Sequence, residues 1–187
     1  MRIFRFAASA LVLVLVTAAC SDDRRPLFSL PECFSDEMIL VAQSVPGADY
    51  VPCFADLPQG WALDDMHVGD DGALVVLDSD RAGDEAASLV YEEGCEVEGF
   101  DDVTSEPGDI TRLDRIGEAL ESFELRHIIL FDGGCVTVDF SFQELDGARP
   151  QVLRSLEYSN ELLESLQLFS RADINAEISR ENERIRV

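Results

Sequence analysis

The chain has 187 residues and carries 38 Asp and Glu against 14 basic side chains, for a formal charge of −24. A chain this acidic is repelled by phosphate backbones and by anionic headgroups, which excludes nucleic-acid binding and any membrane attachment through a basic patch. With 47% hydrophobic residues it still has the material for one folded domain with a core.

The first twenty residues stand apart. Arg2 and Arg5 precede an apolar run from Ala7 to Ala19, and Thr17-Ala18-Ala19 leads into Cys20. A basic head, an apolar stretch too short to cross a bilayer with ease and small residues before a cysteine read as a bacterial lipoprotein signal. In that reading residues 1–19 are the signal peptide, Cys20 is the lipidated first residue of the mature protein, and residues 20–34 are a polar tether. Ordinary secretion after Thr17-Ala18-Ala19 and an uncleaved anchor are the competing readings. Removing residues 1–19, which hold two arginines and no acids, takes the formal charge from −24 to −26.

Five cysteines are present. Assigning Cys20 to lipid leaves Cys33, Cys53, Cys95 and Cys135, an even set in an oxidising compartment, and therefore two disulfides. Four cysteines allow three pairings. Cys33–Cys53 and Cys95–Cys135 are favoured because each ties neighbouring segments. No C-x-x-C pair or histidine cluster supports zinc, and no cysteine stands beside an obvious base.

Past the tether, Ser35 and Asp36 can cap a helix running to about Val45, with Met38, Ile39, Val41 and Ala42 on its buried side. Pro46-Gly47 ends it, and Tyr50 to Phe54 reads as a short strand. Trp61 to Val68 and Ala73 to Asp78 alternate in the strand manner around Gly69-Asp70-Asp71-Gly72, a hairpin signal. Ser88 to Glu93 is a third strand of this region. An acidic loop through Pro107-Gly108 precedes a weaker strand near Ile110 to Arg115.

Glu124 to Phe131 and Cys135 to Phe142 form the clearest pair, joined through Asp132-Gly133-Gly134. Either two-residue loop available there puts Leu125, His127, Ile129 and Phe131 on one face with Val136, Val138, Phe140 and Phe142. The other face carries Arg126, Ile128, Thr137, Asp139 and Ser141, with Arg126 able to meet Asp139 across the strands. From Pro150 to Phe169 the period is helical, with Leu153, Leu156, Leu163 and Leu166 in one stripe. Asp173 to Val187 offers only Ile174, Ile178 and Ile185 among charges, a loosely docked or frayed helix.

The fold class is therefore α+β: a mostly antiparallel sheet of about five to seven strands with an N-terminal helix and C-terminal helices packed on it. The domain spans residues 35–169, and residues 170–187 form a polar helical tail.

Candidate sites are sparse. Asp78-Ser79-Asp80-Arg81-Ala82-Gly83-Asp84 begins like a calcium loop, with Asp78, Asp80 and Asp84 as oxygen ligands, but Ala82 and Leu89 stand where further ligands belong. His67 and His127 are the only histidines, each within a strand. His127 falls on the apolar face, where a hydrogen-bonded core histidine is the expectation. No nucleophile elbow, zinc-protease helix, phosphate loop or dinucleotide fingerprint occurs. Neither a cofactor nor a catalytic constellation is indicated.

Five segments together resemble an uncharacterised group of membrane-anchored or secreted proteins of high-GC Gram-positive bacteria. They are Val51-Pro52-Cys53, Leu57-Pro58-x-Gly60-Trp61, Leu77-Asp78-Ser79-Asp80-Arg81-Ala82-Gly83, Ser105-Glu106-Pro107-Gly108 and Phe131-Asp132-Gly133-Gly134-Cys135-Val136-Thr137. The resemblance implies an extracytoplasmic domain and a shared structural corner at Asp78 to Gly83, and it implies no activity, cofactor or catalytic residue.

The function expected is that of a lipid-anchored, non-enzymatic binding, sensing or accessory domain on the outer face of the cytoplasmic membrane. Its partners would be membrane lipid through Cys20 and another envelope protein. An acid-dependent hydrolase of an envelope polymer and a calcium-dependent adhesion domain are the alternatives.

Overall fold

Alternating apolar and polar residues from Trp61 to Ser79 and from Phe123 to Phe142 dictate hairpins, and these build the sheet that organises the molecule. The computed structural model describes residues 25–26, 30–106, 110–118, 123–142 and 149–185. In chain order its elements are β1 (Arg25–Pro26), α1 (Asp36–Ser44), β2 (Tyr50–Phe54), β3 (Trp61–Gly69), β4 (Gly72–Ser79) and β5 (Gly83–Glu92). There follow β6 (Asp101–Glu106), β7 (Ile110–Glu118), β8 (Phe123–Phe131), β9 (Gly134–Phe142), α2 (Arg149–Ser165), β10 (Leu166–Ser170) and α3 (Arg171–Ile185). The fold is α+β. One antiparallel sheet runs in the order β1-β3-β4-β5-β9-β8-β7-β6, and β2 with β10 forms a separate two-stranded antiparallel pair.

Register decides which face is core. Phe131 pairs with Gly134, so the β8–β9 loop is Asp132-Gly133, and Leu125, His127 and Ile129 lie opposite Phe140, Val138 and Val136. The same face continues through Ala87, Leu89 and Tyr91 on β5, Leu77, Val75 and Ala73 on β4, and Met66 and Val68 on β3. These apolar residues are buried in one cluster with Met38, Val41, Ala42 and Val45 of α1 and Leu162 of α2. Trp61 meets the edge of Phe140 at 6.2 Å, and Tyr50 meets Phe131 at 5.7 Å. Each such aromatic pair adds about 0.5–1.5 kcal/mol beyond its burial.

Both favoured disulfides are present. Cys33–Cys53 ties the approach to α1 onto β2, and Cys95–Cys135 ties the segment after β5 onto β9. Loops of 20 and 40 residues lose closure entropy worth about 3 and about 4 kcal/mol respectively in the unfolded chain. On the outer face Arg126 grips Asp139 with two donors, the second at 3.0 Å. Ile128 on that face is also buried, although it lies outside the main cluster.

Three expectations are corrected. Ser35 stands at the N-cap of α1 in an extended conformation but makes no side-chain capping bond. The acidic stretch after Cys95 contains a strand, β6, which pairs along its length with β7. The helix expected to reach Phe169 ends at Ser165, and Leu166 to Ser170 turn extended to pair with Phe54 to Tyr50. The expected C-terminal helix is present as α3, which starts at a reciprocal cap in which Ser170 Oγ accepts from the Asp173 amide at 3.1 Å and donates to its carboxylate at 2.6 Å. Ile174 of that helix is buried. Cys20, most of the 20–34 tether and Pro107-Gly108 lie outside the described residues.

One cation joins the layers. Arg171 donates through Nε to the Ala48 carbonyl at 2.7 Å and through a terminal nitrogen to the Val45 carbonyl at 2.6 Å. Its amide donates to the Asp49 carbonyl, and the Asp49 amide donates to the Asp132 carbonyl in the β8–β9 turn. That turn needs Gly133 twice over: its φ is +72°, and a Cβ there would fall 1.8 Å from the Gly47 oxygen. Beneath, the Tyr91 hydroxyl donates to the Tyr50 carbonyl at 2.9 Å.

Charge-assisted hydrogen bonds such as these contribute about 1.5–3 kcal/mol each. Replacement Arg171→Met, which keeps the stem and removes both side-chain donors, is therefore expected to cost at least about 2 kcal/mol in urea unfolding; an unchanged midpoint would contradict this role. Burial pushes the Tyr91 hydroxyl up to about 12, with Arg171 pulling the other way. An unfolded tyrosine ionises near 10, so the stability tied to the neutral Tyr91 hydroxyl is complete below about pH 10 and is lost as pH rises towards 12. Tyr91→Phe is expected to be about 1 kcal/mol less stable than wild type at pH 8. That gap should narrow above pH 10 in chemical denaturation.

Candidate functional site

The β7–β8 register pairs Asp114 with His127 and Arg112 with Ile129, so these four share the face turned towards α2. On α2, Asn160, Leu163 and Glu164 stand at helical spacings i, i+3 and i+4 and so share one side. Sheet and helix meet there around a cleft of about 230 Å³ lined by all of these residues and by Ile128. His127 Nδ1 lies 2.5 Å from Asp114 Oδ1. Its ring meets the edge of Phe140 at 5.9 Å, and its side chain is 12% exposed.

A carboxylate at Nδ1 fixes the tautomer with the proton on that nitrogen and leaves Nε2 as the acceptor. Nε2 is buried and has no hydrogen-bond partner among the described residues. The expectation of a hydrogen-bonded histidine on the apolar face thus describes half of its surroundings, and the cleft wall is the other half. Sequence reasoning missed Arg112, Asp114, Asn160 and Glu164 as its neighbours. The alternation of Arg112 and Asp114 on β7 and the i, i+3, i+4 spacing on α2 were the available signals, but nothing local said that the two elements would face each other.

The chemistry open to the cleft is limited by its walls. Among the described residues that line it none is Ser, Thr or Cys, so none of these offers the His–Asp pair a side-chain nucleophile. Two acids, Asp114 and Glu164, are present, but Asp114 is committed to His127. Hydrolysis of a glycosidic bond uses two carboxyl groups flanking the bond, one of them often as a proton donor. What the arrangement offers is a fixed set of donors, acceptors and opposite charges beside the apolar side chains of Ile129 and Leu163, which is the make-up of a small-ligand site.

The other candidates fall elsewhere. Asp78 Oδ1 accepts the Glu85 amide at 2.8 Å, supporting Glu85 at φ 50° where the β4–β5 register slips. Asp80 donates its amide to the Gly60 carbonyl, and the Arg81 guanidinium lies over the Tyr158 ring at 4.3 Å. Asp84 is exposed. Among the described residues the one group of three metal-type ligands within 4.8 Å is Glu92, Cys95 and Cys135, whose sulfurs are joined to each other. Asp78, Asp80 and Asp84 do not come together within that distance. His67 Nε2 lies 2.6 Å from Asp65 and borders a second cleft of about 270 Å³ with Asp71 and Glu92. With the four cysteines bonded, none supplies a free thiol.

No protein-family model, curated protein or solved structure matches this chain.

The tautomer assignment is directly checkable. Long-range ¹H–¹⁵N correlation at neutral pH is expected to show the His127 proton on Nδ1, and Asp114→Asn to shift it towards the Nε2-protonated form that free histidine prefers. A wild-type pattern with the proton on Nε2 would contradict the pairing.

Proposed function

We propose that this protein is an exported module, held by lipid on Cys20 at the outer face of the cytoplasmic membrane, that binds a component of the envelope without transforming it. The observation that carries the binding reading is the cleft between α2 and the β7–β8 hairpin, where polar groups converge and none of the described lining residues is Ser, Thr or Cys. Two disulfides support the oxidising compartment. The lipid signal supports attachment, and two acyl chains hold a soluble domain on a bilayer where one does not.

Attachment at Cys20 would also set an orientation. Arg25 and Pro26 pair antiparallel with Val68 and His67, beside the β3–β4 turn. Cys20 precedes Arg25 by five residues, a reach of at most about 18 Å. In this reading the end with Asp70, Asp71 and Asp132 faces the lipid across that gap, while Gly60 and Asp80 lie at the far end. Three acids at that end disfavour close approach to anionic headgroups, so the tether serves as a spacer.

Intact mass of the protein recovered from membranes tests the anchor: acyl chains on Cys20 are expected, and a free Cys20 thiol would overturn it. The binding reading is tested by incubating purified protein with isolated cell-wall polymer. Retention without change in the polymer is expected. Turnover that disappears in Glu164→Gln would instead favour the hydrolase.

A further inference from the structure

We infer, on the reading of the cleft between α2 and β7–β8 as a ligand site, that its guest is a small primary amine in the ammonium form. The cleft holds an acceptor without a donor. Asp114 takes the Nδ1 proton of His127, and Nε2 of the same ring is buried with no hydrogen-bond partner among the described residues. Buried polar atoms are normally paired, and an unpaired acceptor in a cleft wall calls for a guest that brings an N–H or O–H. A volume of about 230 Å³ is below the roughly 300–1,000 Å³ typical of drug-sized ligands, so the guest is small.

Charge decides which donor. The lining residues carry one cation, Arg112, against two anions, Asp114 and Glu164. Arg112 is already engaged within the protein, and even counted at full charge it leaves the lining one negative charge in excess. Glu164, exposed on α2, has no ion pair or hydrogen bond among the described residues, and Asn160 one turn earlier adds an amide oxygen as a further acceptor. The whole molecule, at −24, repels an anionic guest and favours a cationic one. An alcohol can donate to His127 Nε2 but leaves the Glu164 charge unanswered. A quaternary ammonium answers the charge but has no N–H for Nε2. A primary ammonium has three N–H donors and one positive charge, so it does both, and Ile129 and Leu163 supply apolar contact for its carbon chain.

The test titrates purified full-length protein with n-propylamine, n-propanol and tetramethylammonium at about pH 8, where an ordinary imidazole is neutral and an alkylamine is charged. Long-range ¹H–¹⁵N correlation reads the His127 ring. The amine is expected to bind at least about tenfold more tightly than either control, a difference of about 1.4 kcal/mol, and to move the Nε2 resonance while tetramethylammonium leaves it in place. In Glu164→Gln, an exposed replacement that spares the core, amine and alcohol should bind about equally. Absence of amine binding, equal binding of either control to the wild-type protein, or an Nε2 resonance that stays put on saturation with amine overturns the inference. Where propylamine binds, retention on isolated cell-wall polymer before and after N-acetylation of its amino groups identifies the source: loss on acetylation assigns the amine to the polymer, and unchanged retention assigns it to a free metabolite. Retention on the polymer without any binding of propylamine overturns the inference and leaves the envelope-binding reading standing.

Discussion

The guanidinium of Arg171 satisfies two carbonyls just beyond α1, at Val45 and Ala48, while its own amide closes onto Asp49. Those carbonyls belong to the loop that must turn sharply from α1 into β2, and they sit against the β8–β9 turn where Gly47 and Gly133 touch backbone to backbone. Burying a loop is costly unless each of its polar groups is met. Arg171 meets two of them from the junction of β10 and α3, so one residue, through its side chain and its amide, ties the loop after α1 to the start of α3, and Asp49 carries the link on to the tip of the main hairpin. Tyr91, wholly buried below, adds a bond from the sheet to the Tyr50 carbonyl.

The two faces of the large sheet are used differently. The inner face is covered by α1, α2 and the β2–β10 pair and holds the main core. On the outer face the Cys95–Cys135 bond draws the segment after β5 over β9, with Cys95 Sγ 3.2 Å from Thr137 and Ile128 buried nearby. Arg115 lies over the Phe100 ring at 4.7 Å on the same side. Disulfide and cation–π contact thus cover part of the outer face. The cleft opens on the inner side, where α2 covers the edge of the core and its polar residues meet the polar residues of β7.

Much of this was legible in the residues. Alternation fixed β3, β4, β8 and β9 and the core face of the β8–β9 hairpin, with the Arg126–Asp139 pair across it, while the choice between the Asp-Gly and Gly-Gly loops came from the structure. The elements that escaped have weak or misleading local signals. β6, Asp-Asp-Val-Thr-Ser-Glu, has one large apolar residue and is held by backbone bonds at the sheet edge. β10, Leu-Gln-Leu-Phe-Ser, continues the helical leucine stripe of α2 and becomes extended because β2 presents an unpaired edge beside it. His127 was recognised as facing inward, but its partner Asp114 lay in the strand with the weakest signal.

By itself the sequence determined the strong negative charge, the favoured cysteine pairs and the hairpins. Each of these depends on composition or on residues close together along the chain, where turn chemistry and side-chain period act directly. The tertiary structure decided which distant segments would meet: β10 with β2, Arg171 with the α1 loop, and α2 with the His127–Asp114 pair. Those meetings are settled by burial and by hydrogen-bond demand in the packed state, and side-chain period carries no information about the partner an element will find.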